Sequence, residues 1–179
     1  APTVELTHWW MSQGEKAALG EIKKGVEARG GKFIDKPMQN YDLLRGSIFE
    51  RLSVGYPPAI TQWLAGKEID QLNELNAIAP IPPLWRDSAL KDMLFPEVLA
   101  DISQKGEPAV LPVGIHIQNT AFYNAAIYHQ LNLTPPSSWS EFFQQAERIR
   151  DAGYSAIALS DEPWQLRMLF NAILMEKLG

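Results

Sequence analysis

Short apolar runs alternate with helical patterns along the whole chain, and this alternation constrains the fold more than any other feature of the sequence. Five apolar runs predict strands, namely Val4–Trp10, Lys32–Lys36, Ala59–Trp63, Ala109–Asn119 and Ala156–Leu159. Strands that alternate with helices pair mainly in parallel, because each helix returns the chain to the same end of the sheet. The sequence therefore predicts an α/β fold built on a largely parallel sheet.

Capping residues, glycine and proline define the predicted helices. Ser12 and Glu15 have the spacing of a capping box, and the helix that they begin is predicted to stop at Gly30-Gly31. Ser138 and Glu141 repeat that spacing directly after a pair of prolines. The other predicted helices cover residues 44–52, 68–76, 87–105 (two helices broken at Pro96), 122–131 and the segment from Pro163 to the chain end.

Composition and charge argue against two classes of function. The chain of 179 residues carries a net charge of −5, and no local block of Lys and Arg compensates for it. Nucleic-acid binding requires clustered basic side chains to neutralise phosphates, so a nucleic-acid partner is not expected. No apolar run approaches the ~20 residues that a transmembrane helix needs, so direct membrane insertion is not expected either.

Cysteine is absent, which excludes disulfides, thiolate metal sites and a cysteine nucleophile. The cysteine with which mature bacterial lipoproteins begin is missing as well, because the first residue is Ala1. The chain also lacks an initiator Met. Such a start is expected of a secreted, periplasmic protein after removal of its signal peptide, and equally of an arbitrary boundary within a longer chain.

Three segments carry a resemblance to a known family. They are Thr7-His8-Trp9-Trp10 with Gly14-Glu15, the stretch from Leu111-Pro112 through His116 to Asn124, and Thr134-Pro135-Pro136 with Ser138-Trp139-Ser140-Glu141-Phe142, later joined by Glu162-Pro163-Trp164-Gln165. In this order they resemble the family-1 extracellular solute-binding proteins, the maltose-binding-protein-like sugar receptors of ABC importers, and among these the glucose- and galactose-type branch. That branch usually has a basic residue after the crossover histidine, where this chain has Ile117-Gln118.

The resemblance implies a periplasmic binding protein-like fold of type II, with an N-terminal α/β lobe over residues 1–118 and the beginning of a C-terminal lobe over residues 119–179. Receptors of this family have two complete lobes, so the chain is expected to be an N-terminal fragment, with a natural truncation as the alternative. The implied function is that of the substrate-binding component of an ABC sugar transporter, which captures a mono- or small oligosaccharide between its lobes. The implied partner is a membrane permease; no cofactor or metal is implied.

A sugar has apolar C–H faces and a ring of hydroxyls, so its site needs flat aromatic surfaces and side chains that bond in two directions. In open α/β sheets the ligand crevice lies at the carboxyl ends of the strands. Together with the resemblance, this predicts ligand-binding residues at the strand ends, in the crossover segment and at the start of the last helix. They are His8, Trp9, Trp10, Glu15, Gln62, Trp63, His116, Asn119, Trp164 and Gln165.

Several of these residues also have a purely structural interpretation. Glu15 can cap its helix, Gln62 can bond a loop, and His116 lies among apolar neighbours that are typical of a core histidine. Trp9 and Trp10 would point to opposite faces if the strand continued through both, so they would line one crevice together only if the strand ended before them. Two further tryptophans are assigned to packing, Trp85 and Trp139.

Two other functions stay open. A receptor for a non-sugar solute, such as a peptide or a polyamine, would keep the fold and change only the pocket. A glycosidase would need two carboxylates on either side of the scissile bond, for which Glu15 could be paired with Asp161 or Glu162. The sequence contains no Ser–His–Asp order, Gly-rich phosphate loop or His-based metal motif, since its three histidines are widely separated. An enzyme is therefore not predicted.

Overall fold

The computed structural model describes residues 1–81, 89–104 and 107–178. The chain divides into two compact units, Ala1–Val113 and Gly114–Gly179. The domain boundary that the sequence places between residues 118 and 119 stays a prediction. Trp85, which the sequence assigns to packing, lies outside the described residues.

The first unit is built on a parallel sheet. Its elements are β1 (Thr3–His8), α1 (Gln13–Glu27), β2 (Lys32–Pro37), α2 (Tyr41–Ser53), β3 (Ile60–Thr61), α3 (Lys67–Glu74), α4 (Leu90–Met93), α5 (Pro96–Ile102), β4 (Ser103–Gln104) and β5 (Glu107–Pro108). The strand order is β2-β1-β3, and β1 pairs in parallel with both neighbours. Strands β4 and β5 form a separate antiparallel hairpin. The predicted α/β fold with a parallel sheet is confirmed.

The central strand β1 separates two differently packed faces. Its side chains alternate, so Leu6 and His8 point to one face and Glu5 and Thr7 to the other. Helix α1 packs against β2, and α2 packs against β1. The buried apolar side chains of this unit are Leu6, Leu19, Leu44, Ile48, Ile69, Leu72 and Ile102.

Helix α1 has the boundaries that its capping residues predict. Ser12 Oγ accepts a hydrogen bond from the Glu15 N–H at 3.3 Å, and Glu15 Oε2 accepts one from the Ser12 N–H at 2.8 Å, which completes the capping box. At the other end Gly30 has a φ of +74°, a conformation that glycine adopts at little cost. A Cβ on Gly31 would lie 2.8 Å from Val26 Cγ1, so the chain turns where only glycine fits.

The described part of the second unit, residues 114–178, contains the helices α6 (Ala125–Gln130), α7 (Trp139–Asp151) and α8 (Pro163–Leu178). Its buried apolar side chains are Tyr128, Ala146 and Ile149. The indole N–H of Trp139 donates to the carbonyl oxygen of Ala172 at 3.2 Å, and its ring contacts Phe142 and Phe143. Trp139 therefore packs α7 against α8, which confirms the packing role predicted for it.

Two predicted strands are wrong. Residues 109–119 and 156–159 form neither helix nor strand. The apolar side chains of the first segment remain exposed, with Val113 at 57% and Ile115 at 52%, and its Pro112 has no N–H to donate to a ladder. A strand forms only beside a partner strand, and in the described part of the second unit none lies next to residues 156–159. Their alternating pattern therefore produces no sheet.

The described residues contain no helix that is long and apolar enough to cross a membrane.

The ion pair between Glu5 and Arg51 ties β1 to α2, and we expect its loss to appear as a change in the pH dependence of stability. Both side chains are largely buried, at 18% and 22% exposure, and Arg51 Nη2 lies 3.3 Å from Glu5 Oε2. Hydrogen bonding from Arg51 lowers the pKa of Glu5. This contribution is present above the ordinary pKa of a glutamate and disappears as the pH falls through the lowered value.

Glu5→Gln is therefore expected to lower the free energy of unfolding by about 1–2 kcal/mol at pH 7 and by much less at acid pH. Urea unfolding at a series of pH values measures both quantities. Glu21→Gln is the matched control, because Glu21 and its partner Lys24 are each 73% exposed. A Glu5→Gln effect that is equally large at every pH would contradict a role for the charge of Glu5.

Candidate functional site

The carboxyl ends of β1 and β3 are joined through the side chain of Gln62. Gln62 Oε1 accepts a hydrogen bond from the Trp9 N–H at 3.1 Å, and the Gln62 N–H donates to the carbonyl oxygen of Thr7 at 2.8 Å. Gln62 therefore fixes the backbone of Trp9 as it leaves the sheet. Its amide oxygen is engaged there, so its NH₂ group is the part of the side chain that is suited to donate to a ligand.

Four rings form an aromatic row at this edge of the sheet: Trp9, Tyr41, Trp63 and Phe49. Successive ring centroids lie 5.4, 5.6 and 6.0 Å apart, and the rings meet edge to face. Such geometry adds to the stabilisation from apolar burial alone. All four side chains are only partly buried. The row therefore combines a rigid arrangement with aromatic surface that is still accessible.

Glu68, the second residue of α3, accepts hydrogen bonds from two side chains of the aromatic row. Its backbone oxygen accepts from the Trp63 indole N–H at 2.9 Å, and its Oε2 accepts from the Tyr41 hydroxyl at 3.0 Å. Burial raises the pKa of Tyr41 well above its usual value, and the hydrogen bond to Glu68 raises it further. The Tyr41 hydroxyl therefore stays protonated and continues to donate to Glu68.

His8 and Trp10 lie on the side of the sheet that α1 covers, away from the aromatic row. The His8 side chain is 2% exposed, with Nε2 2.7 Å from Asp35 Oδ1 and Nδ1 3.1 Å from the Trp10 N–H. Beside them is a cavity of about 290 Å³, lined by these three residues, apolar side chains of α1 and β2, and the two lysines Lys16 and Lys23. His8 is thus a buried, doubly bonded residue.

Glu15 has the capping role that the sequence left open. Its Oε2 accepts from the backbone N–H groups of Met11 at 3.0 Å and Ser12 at 2.8 Å. The carboxylate thereby fixes the segment that leads from Trp10 into α1. An acidic group is thereby held at the segment that connects β1 to α1.

The four predicted site residues of the second unit do not form one cluster of contacts. His116 and Asn119 are exposed in the irregular segment before α6. Trp164, near the start of α8, is 53% exposed. Gln165 Oε1 accepts from the Ser160 N–H at 3.1 Å, so this amide fixes the turn that precedes α8.

The structure therefore brings together Trp9, Gln62 and Trp63 and separates them from His8 and Trp10. Sequence reasoning missed Tyr41, which connects the two tryptophans of the row. A local signal for it exists, because Asn40 Oδ1 accepts from the Leu43 N–H at 2.9 Å and caps α2. An asparagine cap just after β2 places the next residue at the carboxyl edge of the sheet.

No group of three or more His, Asp or Glu side chains in the described parts of the chain could hold a metal ion.

Comparisons with known proteins give relatives of one kind. No family model matches the sequence. A probable sugar-binding periplasmic protein of Rhizobium meliloti is 28% identical over 98% of this chain and 42% of its own length. A protein of the same description from Brucella melitensis is 27% identical, over 96% of this chain and 41% of its own length. An ABC transporter extracellular-binding protein of Pyrococcus horikoshii is 25% identical, over 96% of this chain and 40% of its own length.

Solved structures agree with this result. A chitin oligosaccharide binding protein matches 100% of this chain and 46% of its own, with a TM-score of 0.79 at 21% identity. The chain has the fold of a periplasmic solute-binding protein. A solute-binding protein of an ABC transporter from Thermotoga lettingae, bound with α-D-tagatose, matches 86% of this chain and 40% of its own, with a TM-score of 0.66 at 16% identity.

These comparisons confirm the resemblance to sugar receptors of ABC importers and the type II fold that it implies. The curated relatives are named as binding proteins. The chain spans about two-fifths of their length.

Proposed function

We propose that this chain is the N-terminal part of the substrate-binding component of an ABC sugar transporter, and that it contributes to the capture of a mono- or small oligosaccharide. The aromatic row beside Gln62 at the carboxyl edge of the parallel sheet is the observation that carries the proposal. Relatives named as sugar-binding periplasmic proteins support it.

The chemistry of the edge suits a sugar. Trp9 and Trp63 offer flat apolar surface for the C–H face of a pyranose ring, and their edge-to-face contacts with Tyr41 keep that surface in place without a ligand. The NH₂ group of Gln62 donates to a hydroxyl. Rings that are already ordered lose little conformational entropy on binding, which favours affinity.

Trp10 and Glu15 are proposed as a second group of contacts on the first unit. Glu15 supplies a charged acceptor, and a hydrogen bond from a sugar hydroxyl to a carboxylate contributes about 1.5–3 kcal/mol. We propose His116, Asn119, Trp164 and Gln165 as contacts supplied by the second unit. Both ring nitrogens of His8 are engaged in hydrogen bonds within the protein, so we propose a positioning role for it in place of a direct contact.

Binding without catalysis is part of the proposal. The carboxylate of Glu15 holds two backbone N–H groups, an arrangement that favours a fixed hydrogen-bond acceptor over an acid or nucleophile. We propose a periplasmic location, which the names of the periplasmic relatives support, after removal of a signal peptide. We also propose a membrane permease as the partner that receives the sugar.

Titration of the protein expressed from its complete reading frame with a panel of mono- and oligosaccharides tests the proposal. We expect one or a few sugars to change the tryptophan fluorescence and to bind in the micromolar range, about −8 kcal/mol, which permits release to a permease. Peptides and polyamines are included in a parallel thermal-shift assay. If a peptide or a polyamine stabilises the protein and no sugar does, the ligand belongs to that class of solute and the proposed sugar is wrong. Turnover of aryl glycosides would overturn the assignment as a binding protein.

A further inference from the structure

His8 combines deep burial with hydrogen bonds from both ring nitrogens. It is the last residue of β1, its side chain is 2% exposed, and its partners are Asp35 Oδ1 and the Trp10 N–H. Neither nitrogen can bond a ligand without giving up one of these partners. Any effect of His8 on a ligand must therefore pass through the residues that it holds.

We propose that His8 is a positioning residue of the sugar site, which holds the backbone of Trp10 through its neutral imidazole and makes sugar affinity depend on pH. This inference rests on the function proposed above and extends it to a residue that does not touch the ligand.

The two hydrogen bonds specify one form of the ring. A backbone N–H can only donate, so Nδ1 must carry no proton where it faces Trp10 at 3.1 Å. A carboxylate can only accept, so Nε2 must carry the proton where it faces Asp35 at 2.7 Å. The arrangement is complete only for the neutral imidazole with its proton on Nε2.

Protonation of His8 breaks one of these bonds and keeps the other. A proton on Nδ1 places two donors opposite each other, so the bond to the Trp10 N–H is lost, while Nε2 continues to donate to Asp35. The residue that is released is Trp10, one of the proposed contacts. The residues on either side stay held, Trp9 by Gln62 and Met11 with Ser12 by Glu15.

The charged groups around His8 come from two elements. On β2, Asp35 attracts a positive charge on the ring, although its own side chain is 53% exposed. On α1, Lys16 and Lys23 line the same cavity and repel such a charge. The residues of β3, Ile60 and Thr61, have no titratable group. Among the described residues, one carboxylate bonds the ring and two ammonium groups line the cavity beside it.

A sugar that requires the held position of Trp10 binds the neutral form of His8 more tightly. Because the coupling of two binding events is reciprocal, protonation then weakens the sugar, and the sugar opposes protonation. We expect the sugar dissociation constant to rise about tenfold as the pH is lowered from 8 to 5, which lies within the usual range for coupled sites.

The experiment measures two quantities across this pH range in the protein expressed from its complete reading frame. The first is the affinity for the tightest sugar of the panel. The second, recorded without sugar, is the NMR chemical shift of the Trp10 amide in protein labelled with ¹⁵N-tryptophan, assigned by its loss in Trp10→Phe, together with the ring signals of His8. The Trp10 amide is expected to titrate with the same midpoint as the His8 ring.

His8→Asn is the informative variant. Its side-chain oxygen can replace Nδ1 as the acceptor for Trp10, but the amide does not titrate. We expect it to bind the sugar at pH 8 and to lose most of the pH dependence. Asp35→Asn keeps an acceptor for Nε2, so the bond from the Trp10 N–H to Nδ1 and the dependence of affinity on pH should both remain.

Several outcomes overturn the proposal. A Trp10 amide that does not respond while the His8 ring titrates would show that the two are not coupled, and this measurement needs no variant. If folded His8→Asn protein keeps the pH dependence of affinity that the wild type shows, His8 is not the source of that dependence. Absence of binding by every sugar at every pH would reject the proposed function and the sugar site that His8 is said to position, whereas failure of the amide titration alone rejects only the coupling.

Discussion

Replacing Trp9 with alanine is expected to weaken sugar binding by roughly 30- to 150-fold. The indole ring is the end of the aromatic row, fixed by Tyr41 at 5.4 Å and by the bond from its own backbone N–H to Gln62. Stacking a sugar ring on it removes on the order of 100 Å² of apolar surface from water, which contributes about 2–3 kcal/mol. Truncation to a methyl group removes that surface.

Two control variants separate this effect from a general loss of structure. Trp9→Phe keeps a flat ring and is expected to recover part of the affinity. Tyr56→Ala removes an exposed aromatic side chain, 72% exposed, from another part of the first unit and should leave the affinity unchanged. Isothermal titration calorimetry with the tightest sugar of the panel measures all three. An affinity of Trp9→Ala equal to that of Tyr56→Ala would remove Trp9 from the site.

Local patterns in the sequence were sufficient to predict the helices of the first unit and the position of Gln62 at the carboxyl edge of the sheet. The capping box at Ser12 depends on residues three positions apart, and the site at Gln62 follows from where a strand ends. Both signals are contained in a few neighbouring residues, so no knowledge of the tertiary fold is needed to use them.

The failures arise where distant residues decide the outcome. Residues 109–119 have a strand pattern, but a strand also requires a partner, and its presence cannot be deduced from the segment itself. The hydrogen bond between His8 and Asp35 depends on the pairing of β1 with β2, which cannot be deduced from the residues next to His8. The role of Tyr41 depends on two neighbours, Trp9 and Trp63, that lie 32 and 22 residues away. Each case is a consequence of tertiary contacts.

Replacing Leu44 with alanine is expected to lower the free energy of unfolding by about 2–5 kcal/mol, more than any other substitution proposed for this protein. The side chain is 0% exposed and lies on α2, the helix that packs against β1. Removal of three carbon atoms from such a position loses their transfer free energy and leaves a cavity that the surrounding side chains fill only partly. The neighbouring Leu43 is 51% exposed on the same helix, so Leu43→Ala controls for the change in helix propensity.

Urea unfolding followed by tryptophan fluorescence compares the two variants. We expect Leu43→Ala to change the free energy of unfolding by less than about 0.5 kcal/mol. Equal effects of the two substitutions would contradict the placement of Leu44 in the core. The pair also distinguishes stability from binding, because Leu44 is buried in the core and is not one of the proposed sugar contacts. At a temperature where Leu44→Ala remains folded, its sugar affinity should equal that of the wild type, whereas Trp9→Ala should be folded and weak. If the core stabilises the fold and the aromatic row binds the sugar, Leu44→Ala loses stability and keeps its affinity, whereas Trp9→Ala keeps its stability and loses affinity.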